Sequence, residues 1–421
     1  MFENGLIRDL HIIERVSPSV PGLADVENAI LNALDSLHLP ADQLRGRRIG
    51  VTVGSRGIAS LREIVRAICD WLKARGAEPF VFPAMGSHGG ATPEGQGKIL
   101  EEYGVTAESV GAEVRSSMAT VSLGRAPEGF EVYMDRNAWE ADGVIIFNRI
   151  KPHTDFFGKT ESGLLKMMAV GMGKEDGARE THRWGWKYGF ERVIRSMSAV
   201  ALATGKILCG LGVVENEFHQ VCAVRAARPD GIVTMEEAAL RMARPLVPRI
   251  PFSKLHLLVV DELGKNISGT GMDTKVIGRG TEIQPGEAPE IEMIYVRDVT
   301  SESGGNAVGM GLADLIHDRL YEKIDFRKTY LNSCVALNPV PSKLPIHLPS
   351  DREALSLALG HLGWPGPDEQ RVVWIRNTLS LNRMAVSAAL AREAASLAGW
   401  RTEGQLPPLQ VDDTGNLASP L

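Results

Sequence analysis

The pattern of residues 49–82 constrains the fold most. Residues 49–53 form a short β-branched run that reads as a buried strand. Residues 60–75 follow, with Leu61, Ile64, Val65, Ile68 and Leu72 at the spacing of one helix face. Gly76 stops that helix, and residues 79–82 read as a second strand. Strand, helix and strand joined by short loops imply a right-handed crossover and a parallel sheet. Further strands are expected at 143–147, 206–213, 220–225 and 255–260, and a helix near 188–204. The expected class is α/β: two α/β domains with largely parallel sheets and a crevice between them. A charged, proline-containing stretch at 241–251 puts the boundary there, dividing an N-terminal domain (1–252) from a C-terminal one (253–380). An Ala- and Leu-rich segment, 381–401, is expected as a hinge or return helix, and 402–421 as a loosely ordered tail.

Composition excludes several classes. The 421 residues are 44% hydrophobic and 23% charged, enough to bury the cores of two or three domains. Lys+Arg 46 against Asp+Glu 52 gives a net charge of -6, which argues against a nucleic-acid partner. No apolar run approaches the roughly 18 residues of a membrane span. Residues 1–16 scatter charges through their apolar positions and lack a signal-peptide core. Cys69, Cys209, Cys222 and Cys334 form no CxxC pair, so a reduced, cytoplasmic chain is expected. Glycine alone is in excess, and it gathers in a few loops.

Ligands of open parallel sheets bind beyond the carboxyl ends of the strands. Three polar loops fall there: Gly54-Ser55-Arg56-Gly57, Met85-Gly86-Ser87-His88-Gly89-Gly90 and Lys151-Pro152-His153. The first suits an anion, because glycines admit close backbone approach and Arg56 can fork onto carboxylate or phosphate. A tight turn with a solvated arginine would read the same. His88, set among small residues, and His153, stiffened by Pro152, are candidate acids, bases or metal ligands. A surface histidine without a task is the alternative for each. Lys166 stands inside the apolar, methionine-rich run 164–173, where burial would lower its pKa and make it nucleophilic. Its alternative is a lysine snorkelling from a helix edge. His182 follows in Thr181-His182-Arg183-Trp184-Gly185, where a packed histidine is equally compatible. In the C-terminal domain, residues 261–275 set acids, Lys265 and Lys275 among glycines at a strand end, as a small anionic ligand would require. The glycine-rich run 304–311 is a weaker anion candidate.

These pieces, in this order, resemble the nickel-pincer nucleotide-dependent lactate racemase (LarA) family: GSRG, AMGSHGGAT, KPH, LLKMM…THRWG and DELGKNISGTGMD. The resemblance implies a racemase or epimerase of a 2-hydroxy acid or related sugar acid. It implies a pyridinium-3,5-bisthiocarboxylic acid mononucleotide joined to Lys166, with Ni2+ completed by His182. It also implies His88 and His153 as the acid/base pair and Arg56 as a substrate contact. Ser55, Gly57, Ser87 and Gly89 become cofactor contacts, while Lys265, Lys275 and Asp273 share the substrate-anchoring role. Val53 and Gly57 stand where the family usually has Asp and Pro, pointing to a substrate other than lactate itself. The partners implied are a small anionic hydroxy acid and the cofactor-synthesis enzymes, with no membrane; an oligomer is compatible. Two other classes fit some of these residues. A zinc hydrolase would use His88, His153 and His182, leaving Lys166 without a role. A non-enzymatic anion- or nucleotide-binding α/β protein would keep the pocket without the chemistry.

Overall fold

A computed structural model describes residues 7, 9–280, 288–363, 365–366 and 368–421. The chain divides into two units, Val20–Val247 and a second made of Met1–Ser19 with Pro248–Leu421.

In the Val20–Val247 unit the expected strand–helix–strand is Arg48–Val53, Leu61–Ala74 and Glu78–Pro83. The strands lie side by side and parallel. Six strands make the sheet, in the order Glu113–Val114, Glu78–Pro83, Arg48–Val53, Gly143–Arg149, Ile207–Glu215, Val221–Ala227. Only the last pairing is antiparallel. Both faces are covered, which is why the strands read as continuous apolar runs. Ile145 and Phe147 face a cluster with Ile64, Ile68 and Leu72 of the Leu61–Ala74 helix. Val144 and Ile146 face a second cluster, with Val193, Ile194 and Met197 of the Phe190–Ala203 helix.

The other unit carries an eight-stranded sheet. Ile346–Leu348, Leu315–His317, Glu290–Val299, Lys254–Leu263 and Val372–Ile375 run parallel, and Arg383–Val386, His11–Arg15 and Trp400–Gln405 continue it antiparallel. Two expectations fail here. Residues 381–401 are not one helix: they hold the Arg383–Val386 strand, the short helix Ala388–Ala394 and the start of a further strand. The alanines and leucines that suggested a long helix instead fill the core beside the sheet, as Leu390, Ala391 and Ala394 do. Nor is 402–421 loose. Leu417 is 4% exposed, its N–H donates to Asp351 Oδ2 at 2.9 Å, and its carbonyl accepts from Arg297. Arg297 is itself buried against Asp351 (2.8 Å) and Asp261 (2.5 Å). Asp351→Ala would leave Arg297 with Asp261 as its remaining carboxylate and take the acceptor from the Leu417 N–H, and should lower the unfolding free energy in urea by about 3 kcal/mol.

Among the described residues no helix is long and apolar enough to cross a membrane.

Candidate active site

The loops after three adjacent parallel strands meet at one end of the six-stranded sheet. Gly54 follows the central strand, and a Cβ there would lie 3.1 Å from Met167 Cε, so this loop borders the Lys166 segment. Gly86 follows the neighbouring strand; its N–H donates to Gly171 O at 3.2 Å. Its φ of +59° lies in the left-handed region that glycine tolerates. The third loop is closed into a bracket by Lys151 and Ser162, whose backbones exchange bonds of 2.9 and 3.2 Å.

Lys166 ends a short helical turn, Leu164–Lys166, that continues as a π-helical turn, Met167–Gly171. Such turns frequently mark functional sites. Glu236 caps the Lys166 turn from below, its Oε2 accepting the N–H groups of Leu165 (2.9 Å) and Leu164. Burial raises the Glu236 carboxyl to about 7 against those two bonds, and its Oε1 has no partner. The carboxyl fits only because residue 163 is glycine: a Cβ there would sit 2.6 Å from Glu236 Cδ.

The Lys166 amine touches His153 Nε2. Burial lowers its pKa to about 8; Asp155 opposes the shift, and Arg56 and Lys151 reinforce it. His153 Nδ1 accepts the N–H of Asp155 at 3.0 Å, which leaves Nε2 as the ring nitrogen directed at Lys166. Glu161, wholly buried, fixes the His153 backbone by accepting its N–H at 2.6 Å, and is itself held by Arg244 at 2.6 Å. Acylation of Lys166 by an amine-reactive ester, followed by peptide mass spectrometry, should rise through pH about 8 rather than 10.5, because only the unprotonated amine reacts.

His182 lies on the Lys174–Tyr188 helix. An aromatic row relates it to His153: His153 stacks on Phe156 (4.4 Å), Phe156 on Phe190 (5.6 Å), and Phe190 meets His182 edge-on (6.0 Å). Burial, helped by the positive Lys166, lowers His182 to about 4, so the ring is neutral at physiological pH. Its Nδ1 is buried with no hydrogen-bond partner. Buried polar atoms are rarely left so. A neutral imidazole with an unspent nitrogen, beside a nucleophilic amine, fits a group that is both tethered and metal-bearing.

The structure thus brings together Arg56, His153, Lys166 and His182. His88 and Ser87 are exposed on the loop that docks on Gly171, with Gly89 beside them at a φ of +68°. Ser55 O accepts from Tyr103 at 3.0 Å, and Arg56 and Gly57 are exposed. Lys265, Asp273 and Lys275 belong to the other unit. There Lys265 donates to Gly269 O. Asp273 accepts the Lys275 N–H at 2.9 Å, capping the short Thr274–Ile277 helix, so its carboxylate has a structural partner. Among the described residues, no group of three His, Cys, Asp or Glu side chains is placed to hold a metal, so the three histidines of the zinc alternative are not gathered into one centre. Sequence reasoning missed Glu161, Asp155, Phe156 and Glu236. Asp155 and Phe156 stand two and three residues after His153, and that nearness was the one available signal.

The lactate racemase N-terminal domain family matches residues 8–186, a span that holds His88, His153, Lys166 and His182. No curated protein sequence matches the chain. Among solved structures, the lactate racemase apoprotein from Thermoanaerobacterium thermosaccharolyticum is 14% identical, with a TM-score of 0.48 over 86% of this chain and 84% of that one. A structural-genomics protein from Thermotoga maritima is 16% identical, with a TM-score of 0.50 over 64% of this chain and 70% of its own, a likeness of fold. Residues 8–186 match the lactate racemase N-terminal domain family, and over that span the chain is LarA-like.

Proposed function

We propose that the chain is a racemase or epimerase of a small 2-hydroxy acid or related sugar acid, working with a nickel-pincer nucleotide tethered to Lys166. One observation carries this reading: a Lys166 amine brought down to about pKa 8 lies beside a neutral His182 whose Nδ1 is unspent. A covalent tether needs an uncharged nucleophile at neutral pH. Ni(II) held by soft sulfur donors would accept the His182 imidazole as a further ligand. Because the pincer brings its own donors, one protein ligand suffices, whereas a protein-only zinc centre needs three. When bound, the group would supply a reversible hydride acceptor for the substrate carbon.

The protein's own residues handle charge and protons. Arg56 would fork onto the substrate carboxylate. His153 Nδ1 is engaged by Asp155, so Nε2 is the atom that takes or returns the hydroxyl proton. His88 would do the same for the opposite enantiomer, since inversion needs a base for either hand of the alcohol. The N–H groups around Ser55, Gly57, Ser87 and Gly89 would hold the nucleotide. Lys265 or Lys275 would anchor the substrate, with Asp273 shaping that loop. The implied partners are the cofactor-synthesis enzymes, and four free cysteines suit a reducing, cytoplasmic setting.

The test is a panel of hydroxy acids deuterated at C2 and followed by chiral chromatography after cofactor loading. Inversion with the label retained in ordinary water supports hydride transfer. Inversion with the label lost to solvent would mean proton abstraction and would defeat the proposal.

A further inference from the structure

We propose that Gln96 and Lys174 form a buried positioning device that sets the His88 loop against the turn carrying Lys166. The catalytic half of this inference rests on His88 being one of the two bases.

Gln96 lies on the Pro93–Glu102 helix and is completely buried. A buried primary amide must satisfy both its donors and its acceptor. Its Nε2 donates to Gly86 O at 2.9 Å and to His88 O at 3.2 Å, so both bonds go to the loop and one to the His88 peptide itself. Its Oε1 accepts from Lys174 Nζ at 3.0 Å. Lys174 is also fully buried; it donates to Pro83 O, at the end of the strand that feeds the loop, and pairs with buried Asp135 at 2.9 Å. Asp135 is held in turn by the Asn137 N–H at 2.7 Å.

The backbone of Lys174 gives the network its reach. It follows the π-helical turn that begins after Lys166, and it opens the helix that bears His182. Its φ of +53° is left-handed, a conformation a lysine adopts only when its surroundings dictate it. One ammonium therefore joins the strand end, the His88 loop and the two segments carrying Lys166 and His182. The approach of loop and helix is close enough that a Cβ on Gly95 would overlap Gly89 O, at 1.9 Å. Stability alone does not call for such a network, since a well-packed apolar cluster serves as well as a buried ion pair or better. What the polar version adds is direction: its hydrogen bonds fix where the Gly86 and His88 carbonyls point.

The test compares Gln96→Met with Leu100→Ala, a core truncation on the same helix that lowers stability without removing a bond to the loop. The first readout is amide hydrogen exchange of residues 84–91 in the cofactor-free protein. We expect at least tenfold faster exchange in Gln96→Met and no change beyond the global loss of stability in Leu100→Ala. The second readout uses protein loaded on Lys166, with the adduct verified by mass. Gln96→Met should lose tenfold or more in kcat with KM within twofold of the parent, while Leu100→Ala keeps the parent kcat per loaded site. Exchange in Gln96→Met no faster than in Leu100→Ala overturns the device. Faster exchange with an unchanged kcat overturns its catalytic role. A parent protein that loads cofactor yet racemises nothing would count against the functional reading instead, and the exchange arm would still decide the device.

Discussion

Lys166→Ala, produced alongside the cofactor-making enzymes, should carry no adduct in intact-mass spectra and should lose racemisation by at least ~10^4-fold, the scale on which removing a covalently participating residue acts in enzymes. The expectation follows from chemistry and placement together. The Lys166 amine is the group that burial has brought down to about pKa 8, and it contacts His153. Lys166→Arg sharpens the experiment: a guanidinium restores positive charge and length but stays protonated at any working pH, so it too should remain unmodified. An unchanged adduct mass in either variant would place the tether on another residue. A fully active variant without adduct would remove the tethered group from the reaction.

His153→Asn should separate tethering from proton transfer. The adduct should persist, because Lys166 supplies the nucleophile, while kcat falls by roughly 10^2–10^4-fold, the usual contribution of a positioned acid or base. The imidazole is well prepared for that role. Its Nδ1 is engaged by the Asp155 N–H, its face rests on Phe156, and its backbone is held by buried Glu161. Only Nε2 is directed at the amine. His88→Asn should give a comparable loss, and a variant at either position that keeps full activity would refute the two-base scheme. The pair can be told apart by isotope: with one base gone, each enantiomer of the deuterated substrate should lose rate unequally.

Local pattern carried much of this. The helix over Leu61–Ala74 and its flanking strands appear within a residue or two of where the apolar spacing puts them, because a two-sided parallel sheet writes itself into continuous β-branched runs. Lys166 stood out because an ammonium in an oily run is chemically conspicuous. Glu161 did not: in Lys159-Thr160-Glu161-Ser162 it looks solvated, and its partner Arg244 is remote in sequence. Lys174 was hidden for the same reason, since burial of its ammonium depends on Asp135 and Gln96 from elsewhere in the fold. The error at 381–401 is of another kind. Alanine and leucine favour helix, but sheet pairing with residues 11–15 overrides that preference for Arg383–Val386.

That pairing has a consequence for how the molecule is made. His11–Arg15 leaves the ribosome before the Val20–Val247 body, whereas both of its sheet neighbours, Arg383–Val386 and Trp400–Gln405, emerge after that body. The Val20–Val247 body is a guest inserted into a host whose segments on either side of it meet in one sheet. During synthesis the guest, with Lys166 and His182 already inside it, can complete its fold while the His11–Arg15 strand waits for residues 383–405. The residues around Lys166 are thus folded before the sheet of the other unit is complete.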